Sequence, residues 1–172
     1  RVYSPAIGTG PVMDYLGQTG LDALKGADIL KVAPEMYSSS VEYAATPLAQ
    51  KFRGISMVLQ ANLGTRFFYT QSASWDTHAS QMPGHKGLWQ DAARSVSDFF
   101  ADLREHDMSD NVVLIMFSEF GRRVVDNGSG TDHGAAGVAF AIGDSVKGGH
   151  YSEYPSMKKD DLQEGDLAPN YD

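Results

Sequence analysis

The chain has 172 residues, which suits a single domain, and its hydrophobic fraction of 42% is enough for a packed core. Its formal net charge of −8, with no local run of Lys and Arg, disfavours sequence-independent binding of nucleic acid, which needs a basic face. Cysteine is absent, which excludes disulfides and thiolate metal sites, and no apolar run approaches the ~18 residues that span a bilayer.

The first quarter of the chain gives weak helical signals, and residues 1–10 predict irregular structure. Pro11 suits a first helical turn and apolar residues follow at loosely helical spacing, but Gly17, Gly20 and Gly26 weaken that pattern. We therefore expect short helices joined by turns, and then a linker that leads into the next segment at residue 46.

Two later segments predict longer helices. Thr46 can cap a helix over residues 46–64, and Pro47 stands at its first position. Residues 87–108 give the stronger pattern, since apolar side chains recur there every three or four positions. The acidic tail from Glu153 onward predicts coil.

Three segments predict strands, at residues 65–72, 112–117 and 137–143. The middle one is apolar throughout, which suits the centre of a parallel sheet that helices cover on both faces. Strands that alternate with long helices indicate an α/β fold. We therefore expect a single domain over residues 1–172, built as a three-layer α/β/α sandwich with a mostly parallel sheet.

A first polar cluster, "WDTH", follows the strand predicted at residues 65–72, where α/β proteins bind ligands. Asp76 and His78 are two positions apart in an extended segment, so both side chains point to one side. Together they could supply half of the ligands of a divalent cation. Alternatively, Asp76 caps the following turn and His78 is an ordinary loop histidine.

A second cluster, "SEFGRRVVDNGSGTDHG", follows the next strand. Glu119 ends that buried strand, where its charge needs either a metal or an ion pair with Arg122 or Arg123. Asp132 and His133 lie between glycines that let the backbone approach a ligand, or they are a polar dipeptide in a surface loop. Arg122 could hold a tetrahedral oxyanion through its guanidinium fork, or it could neutralise Glu119.

The two clusters should meet, because the carboxyl ends of neighbouring parallel strands lie at one edge of a sheet. Oxygen and imidazole ligands without Cys suit Zn²⁺, Mn²⁺, Mg²⁺ or Ca²⁺, as one ion or two. No Ser or Thr nucleophile stands in a recognisable elbow. The histidines outside these two clusters have no comparable polar motif around them; they are His85, His106 and His150. The predicted metal ligands are Asp76, His78, Glu119, Asp132 and His133.

Three blocks, "TRFFYTQSASWDTHASQ", "VVLIMFSEFGRRVVDNGSGTDHGAAG" and "VKGGHYSEYPSM", together resemble the DUF1501 family of bacterial proteins. The resemblance runs from about Thr46 to Asp172 and implies a relation to the sulfatases and alkaline phosphatases. Their α/β/α core carries a metal site beyond the strand ends, often with two ions. The same resemblance implies Asp76 and His78 as one set of metal ligands. Glu119 stands where related enzymes place an Asp, and His133, with Asp132 beside it, would be the remaining ligand.

The activity implied is metal-dependent hydrolysis of phosphate or sulfate esters, with Arg122 steadying a small anionic substrate. A phosphomutase and a non-catalytic binding or scaffold protein are the alternatives. Family members carry an export signal, which implies an extracytoplasmic location, and a first strand with further site residues. Neither feature is in this sequence, so we interpret it as the C-terminal portion of a larger domain. A sheet without its first strand exposes an edge, which predicts a homodimer.

Overall fold

The computed structural model describes residues 10–168. The irregular structure predicted at residues 1–10 therefore lies outside the described residues, except for Gly10. Three helices come first, and four short strands follow. The helices are α1 Pro11–Met36, α2 Pro47–Gln60 and α3 Gln81–Glu105, and the strands are β1 Leu114–Met116, β2 Gly121–Asp126, β3 Thr131–Gly134 and β4 Phe140–Ile142, with single 3₁₀ turns at Ser109–Asn111 and Lys159–Asp161.

The predicted three-layer α/β/α sandwich with a mostly parallel sheet is wrong. Strand β1 pairs with β4 and β2 pairs with β3, both antiparallel, in two separate two-stranded sheets. Residues 65–72, a predicted strand, belong to no strand, although their aromatic side chains gave the expected pattern. The apolar run at residues 112–117 pairs over only three residues, so it does not become the centre of a wide sheet.

The helix predictions hold better. Helix α2 is confirmed, and the Thr46 hydroxyl accepts a hydrogen bond from the backbone N–H of Ala49 at 3.4 Å. Helix α3 is also confirmed but begins six residues earlier than predicted, because Pro83 falls in its first turn, where a missing N–H costs little. Helix α1 is one continuous helix of 26 residues and not a series of short ones.

The core lies between α2 and α3. Phe52 of α2 stacks on Phe99 of α3 with ring centroids 5.0 Å apart, and Leu103 is completely buried beside them. The β1–β4 sheet packs Leu114 and Ile142 against this cluster from one side. The two helices and one face of this sheet therefore make the main hydrophobic contact of the chain.

Among the described residues, the opposite face of the β1–β4 sheet is exposed and uncovered. Val113, Ile115 and Phe117 alternate with the inward side chains and are 53%, 59% and 67% exposed. Helices cover only one face of the apolar run, whereas its composition predicted cover on both. The prediction of a homodimer assumed an open edge in a parallel sheet, which the described residues do not contain; it stays a prediction.

A buried carboxylate ties the α1–α2 connection to α3. Asp102 is fully buried, and its Oδ2 accepts hydrogen bonds of 2.8 Å from the hydroxyls of both Tyr37 and Tyr43. Burial raises the pKa of Asp102, but hydrogen-bond donors, these two tyrosines among them, outweigh it and leave that pKa below its ordinary value. The charge is thus stabilised by partners that hold residues 37–43 in place.

No helix within residues 10–168 has both the length and the apolar character needed to cross a bilayer.

Truncation of Leu103 to Ala should lower the free energy of unfolding by about 2–5 kcal/mol, because it leaves a cavity in the core. The matched change Ile115→Ala, on the bare sheet face, should cost less than about 1 kcal/mol, because that side chain is already in water. Urea denaturation of the two variants measures both values. Equal losses would contradict the assignment of the inner and outer faces.

Stability should also fall in strong alkali through Tyr37. Burial and the hydrogen bond to Asp102 raise the pKa of Tyr37 from 10.0 to about 12, and the pKa of Tyr43 is raised as well. The folded state therefore keeps a proton that the unfolded state releases, so this contribution is complete below pH 10 and is lost towards pH 12. Urea denaturation across this range should show a smaller loss for Tyr37→Phe than for wild type. The matched control for loss of a tyrosine hydroxyl is the exposed Tyr154, changed to Phe.

Candidate metal centre

Three side chains from two separate parts of the chain meet at one point. Asp76 and His78 lie between α2 and α3, and His133 lies on β3. The Oδ1 atom of Asp76 is 2.7 Å from Nε2 of His133 and 2.8 Å from Nε2 of His78. One ligand atom from each residue lies within 4.8 Å of the other two. We refer to these three residues as the Asp–His–His group.

The carboxylate of this group is suited to a cation. A hydrogen bond from His133 is the main cause that lowers the pKa of Asp76, and the nearby His78 and Arg122 lower it further. Asp76 is therefore ionised at neutral pH and can serve as a metal ligand without first losing a proton. Its side chain is 62% exposed, and each histidine is 45% exposed, so an ion could reach the group from solvent.

Asp132 contacts the group from outside. Its Oδ1 is 3.2 Å from Nδ1 of His78, the ring nitrogen that faces away from Asp76. Asn127 donates a hydrogen bond of 3.0 Å to the same oxygen, and the hydrogen bonds from Asn127 and His78 lower the pKa of Asp132. Asp132 thus occupies the place of a carboxylate that orients a metal-binding histidine through its second nitrogen.

Aromatic stacking fixes the plane of the His133 ring. Phe120 lies parallel to that ring with centroids 4.0 Å apart and an interplanar angle of 5°. His78 stacks on the opposite side, at 4.8 Å and 29°. Packing as well as hydrogen bonds therefore hold the two stacked imidazoles, whose Nε2 atoms are both directed at one carboxylate oxygen.

Arg122 is engaged by the backbone. Its terminal nitrogens donate to the carbonyl oxygens of Thr131 at 2.6 Å and of Trp75 at 2.7 Å. One of them also lies 3.8 Å from Asp76 Oδ1, and the side chain is only 19% exposed. These contacts join the hairpin to the segment that carries Asp76. The prediction that Arg122 steadies an anionic ester stays a prediction.

The structure does not bring Glu119 to the group. Its carboxylate is exposed, and within residues 10–168 it makes no hydrogen bond or ion pair. The ion pair with Arg122 or Arg123 that the sequence left open is also not formed: Arg123 lies instead 3.6 Å from Asp166. Glu119 as a ligand therefore stays a prediction from the sequence.

The three remaining histidines serve other contacts. His85 packs edge-on against Trp75, and His150 lies near Tyr154. His106, next to α3, has its Nδ1 3.3 Å from the buried Asp102. Within the described residues, none of these three histidines belongs to a cluster that could hold a metal ion.

The turn between β2 and β3 holds residues that the sequence did not single out. Ser129 accepts a hydrogen bond at its carbonyl from the N–H of Gln81, and its hydroxyl accepts one of 2.9 Å from the N–H of Ser80. The turn thus satisfies the start of α3, which lacks a side-chain cap of its own. "VVDNGSG" is a hairpin signal, since β-branched residues lead into Asn-Gly. The sequence interpretation treated this segment as a loop and therefore did not identify Asn127 as a turn residue.

The chain is thus a largely helical domain in which a β-hairpin and the segment before α3 together form a cluster of histidines and carboxylates. A model of the family "Protein of unknown function (DUF1501)" matches residues 26–168. This chain belongs to the DUF1501 family, as the sequence blocks indicated. No curated protein and no solved structure matches it.

Changing Gly130 to Ala should disturb the centre. An added Cβ would lie 2.7 Å from the carbonyl oxygen of His78 and 3.0 Å from the Cβ of Gln81, so the turn must move away from the segment that carries His78. We expect a loss of about 1–3 kcal/mol in unfolding free energy and altered NMR shifts of both site histidines.

The control is Gly87→Ala in α3, where an added Cβ meets nothing within 4 Å. This change should stabilise the helix by about 0.5–1 kcal/mol and leave the histidine shifts as they are. Unchanged histidine shifts in the Gly130 variant would contradict the close approach described above.

Proposed function

We propose that this DUF1501 protein is a metal-dependent hydrolase of phosphate or sulfate esters, with the Asp–His–His group as its metal site. One observation carries the proposal: the ligand atoms of Asp76, His78 and His133 come within 4.8 Å of one another from two separate segments. Two imidazoles and a carboxylate directed at one point are a common ligand set for a divalent cation in proteins.

The composition of the group favours a catalytic type of site. Structural zinc sites are closed by four protein ligands, whereas catalytic sites keep three ligands and an open position. The Asp–His–His group has three, and all three are exposed to solvent. Two nitrogen donors favour Zn²⁺ or Mn²⁺ over Mg²⁺ and Ca²⁺, which prefer oxygen ligands. A second ion would need ligands beyond these three.

The side chains around the group would prepare it for the ion. Both Nε2 atoms must be free of hydrogen to bind a metal, so a ring that carries hydrogen there must release it or carry it on Nδ1 instead. Asp132 can keep a hydrogen on Nδ1 of His78 and so leave Nε2 available. Ester hydrolysis joins a water oxygen to phosphorus or sulfur, breaks the ester bond and returns a proton to the leaving alcohol. A bound divalent ion supplies charge stabilisation for such a reaction.

The remaining parts of the sequence interpretation belong to this proposal. The relation to the alkaline phosphatase and sulfatase superfamily and the extracytoplasmic location come from motif resemblance. The role of Arg122 as the group that steadies the ester comes from the geometry of its guanidinium fork. The two antiparallel sheets give the superfamily relation no support. The chemistry of the ligand set supports a metal-dependent reaction, which unrelated folds can share.

A non-catalytic metal-binding protein is the second candidate. Thr77, the hydroxyl residue between the two ligands of its segment, is directed elsewhere: its Oγ1 lies 3.2 Å from the Gln81 amide nitrogen and 3.5 Å from an Arg122 nitrogen. It is therefore not aimed at the group as a nucleophile would be. Binding of metal without turnover would favour this candidate.

The metal site is tested by titrating the protein with Zn²⁺ and Mn²⁺ in a calorimeter, in two buffers of different ionisation enthalpy. We expect one ion per chain with release of protons, and weaker binding as the pH falls into the range where imidazole takes up a proton. His78→Ala and His133→Ala should each weaken binding by more than about 100-fold, because each removes a ligand. The same samples are then assayed on aryl phosphates and aryl sulfates.

Two matched variants complete this experiment. His150→Ala removes a histidine outside the group and should leave the affinity unchanged. Glu119→Ala tests whether that residue is a ligand. Unchanged affinity would agree with the geometry, which leaves Glu119 out, and weaker binding would agree with the motif resemblance, which includes it. Absence of stoichiometric binding in wild type would overturn the proposal, whereas binding with no hydrolysis of either ester would leave the non-catalytic candidate.

A further inference from the structure

We propose that Asn127 is the positioning residue of the metal centre, which holds Asp132 against Nδ1 of His78 and so keeps Nε2 directed at Asp76. Asn127 lies in the turn between β2 and β3. The inference rests on the proposed function in that it assigns His78 as a ligand. The contacts that carry it are those of Asn127 itself.

All the hydrogen-bonding groups of the Asn127 amide are engaged. Its Nδ2 donates to Asp132 Oδ1 at 3.0 Å and to the backbone carbonyl of His78 at 3.2 Å. Its Oδ1 accepts hydrogen bonds from the backbone N–H groups of Ser129 at 3.1 Å and Gly130 at 2.9 Å. A flipped amide would place its oxygen against two other oxygens, so the contacts determine one orientation.

The two ends of this amide have different roles. The oxygen end holds the turn through two backbone N–H groups. The nitrogen end contacts only the metal centre: it holds the carboxylate of Asp132 and the backbone of His78 at once. Since the Asp132 oxygen that Asn127 holds is the one 3.2 Å from the His78 ring, a single series of contacts leads from the turn to the ligand.

Asparagine is the residue that this position needs. An aspartate would still accept from Ser129 and Gly130, so the turn would keep its hydrogen bonds. It would lose both donors and would place a second carboxylate beside Asp132. Asn127→Asp therefore removes the contacts with the centre while it keeps those of the turn.

The experiment uses the whole 172-residue chain labelled with ¹⁵N-histidine. In the metal-free protein, at a pH where imidazole is neutral, long-range ¹H–¹⁵N spectra report which ring nitrogen of His78 carries hydrogen. Asp132 and Asp76 compete for the single hydrogen of the neutral His78 ring. We therefore expect a larger fraction of molecules with hydrogen on Nδ1 in wild type than in Asn127→Asp, with the His133 signals retained. The affinity for Zn²⁺ should fall by about 10–100-fold, the range for loss of a group that orients a metal ligand.

The control is Ser129→Ala, which removes a contact between the turn and α3 and leaves Asn127 in place; it should leave the His78 spectrum unchanged. If Asn127→Asp fails to fold, Asp132→Asn tests the same link without any change in the turn. A His78 spectrum unchanged by the loss of these contacts would overturn the inference. If wild type binds no Zn²⁺, the proposed metal site fails, but the metal-free spectra still decide the role of Asn127.

Discussion

The candidate metal centre depends on one junction, where the turn of the β2–β3 hairpin meets the start of α3. Gln81 donates its backbone N–H to the Ser129 carbonyl, and its side-chain oxygen accepts a hydrogen bond from the Thr131 hydroxyl. Gly130 permits the close approach, because any side chain there would meet the backbone of His78. Since α3 supplies Phe99 and Leu103 to the hydrophobic core, this junction connects the hairpin that carries His133 to a helix of the core.

The chemistry of the site could be predicted from the sequence further than its geometry. Two short motifs with carboxylates and imidazoles indicated that Asp76, His78 and His133 would meet, and the structure brings them together. Asp132 was recognised but expected as a ligand, whereas it lies beside Nδ1 of His78 and accepts a hydrogen bond from Asn127. The register of this hairpin shifts between Arg122 and Asp126, and residue types alone do not specify such a shift.

The helices could be predicted and the sheet could not, for a physical reason. A helix satisfies its backbone within one segment, so caps and apolar spacing are enough to locate α2 and α3. A strand depends on a partner elsewhere, and the composition of residues 65–72 and 112–117 indicates only that strand geometry is acceptable. Within residues 10–168 the first of these segments has no strand partner, and the second pairs antiparallel with β4 over three residues.

The bare face of the β1–β4 sheet has a consequence for how copies of the chain behave towards one another. The net charge of −8 makes copies repel, and this repulsion opposes contact between faces that carry Ile115 and Phe117. At physiological ionic strength the repulsion acts over only about 8 Å, and added salt shortens that range. Attraction between apolar faces is not screened in this way, and sulfate strengthens it. The colloidal stability of the chain therefore depends on low ionic strength.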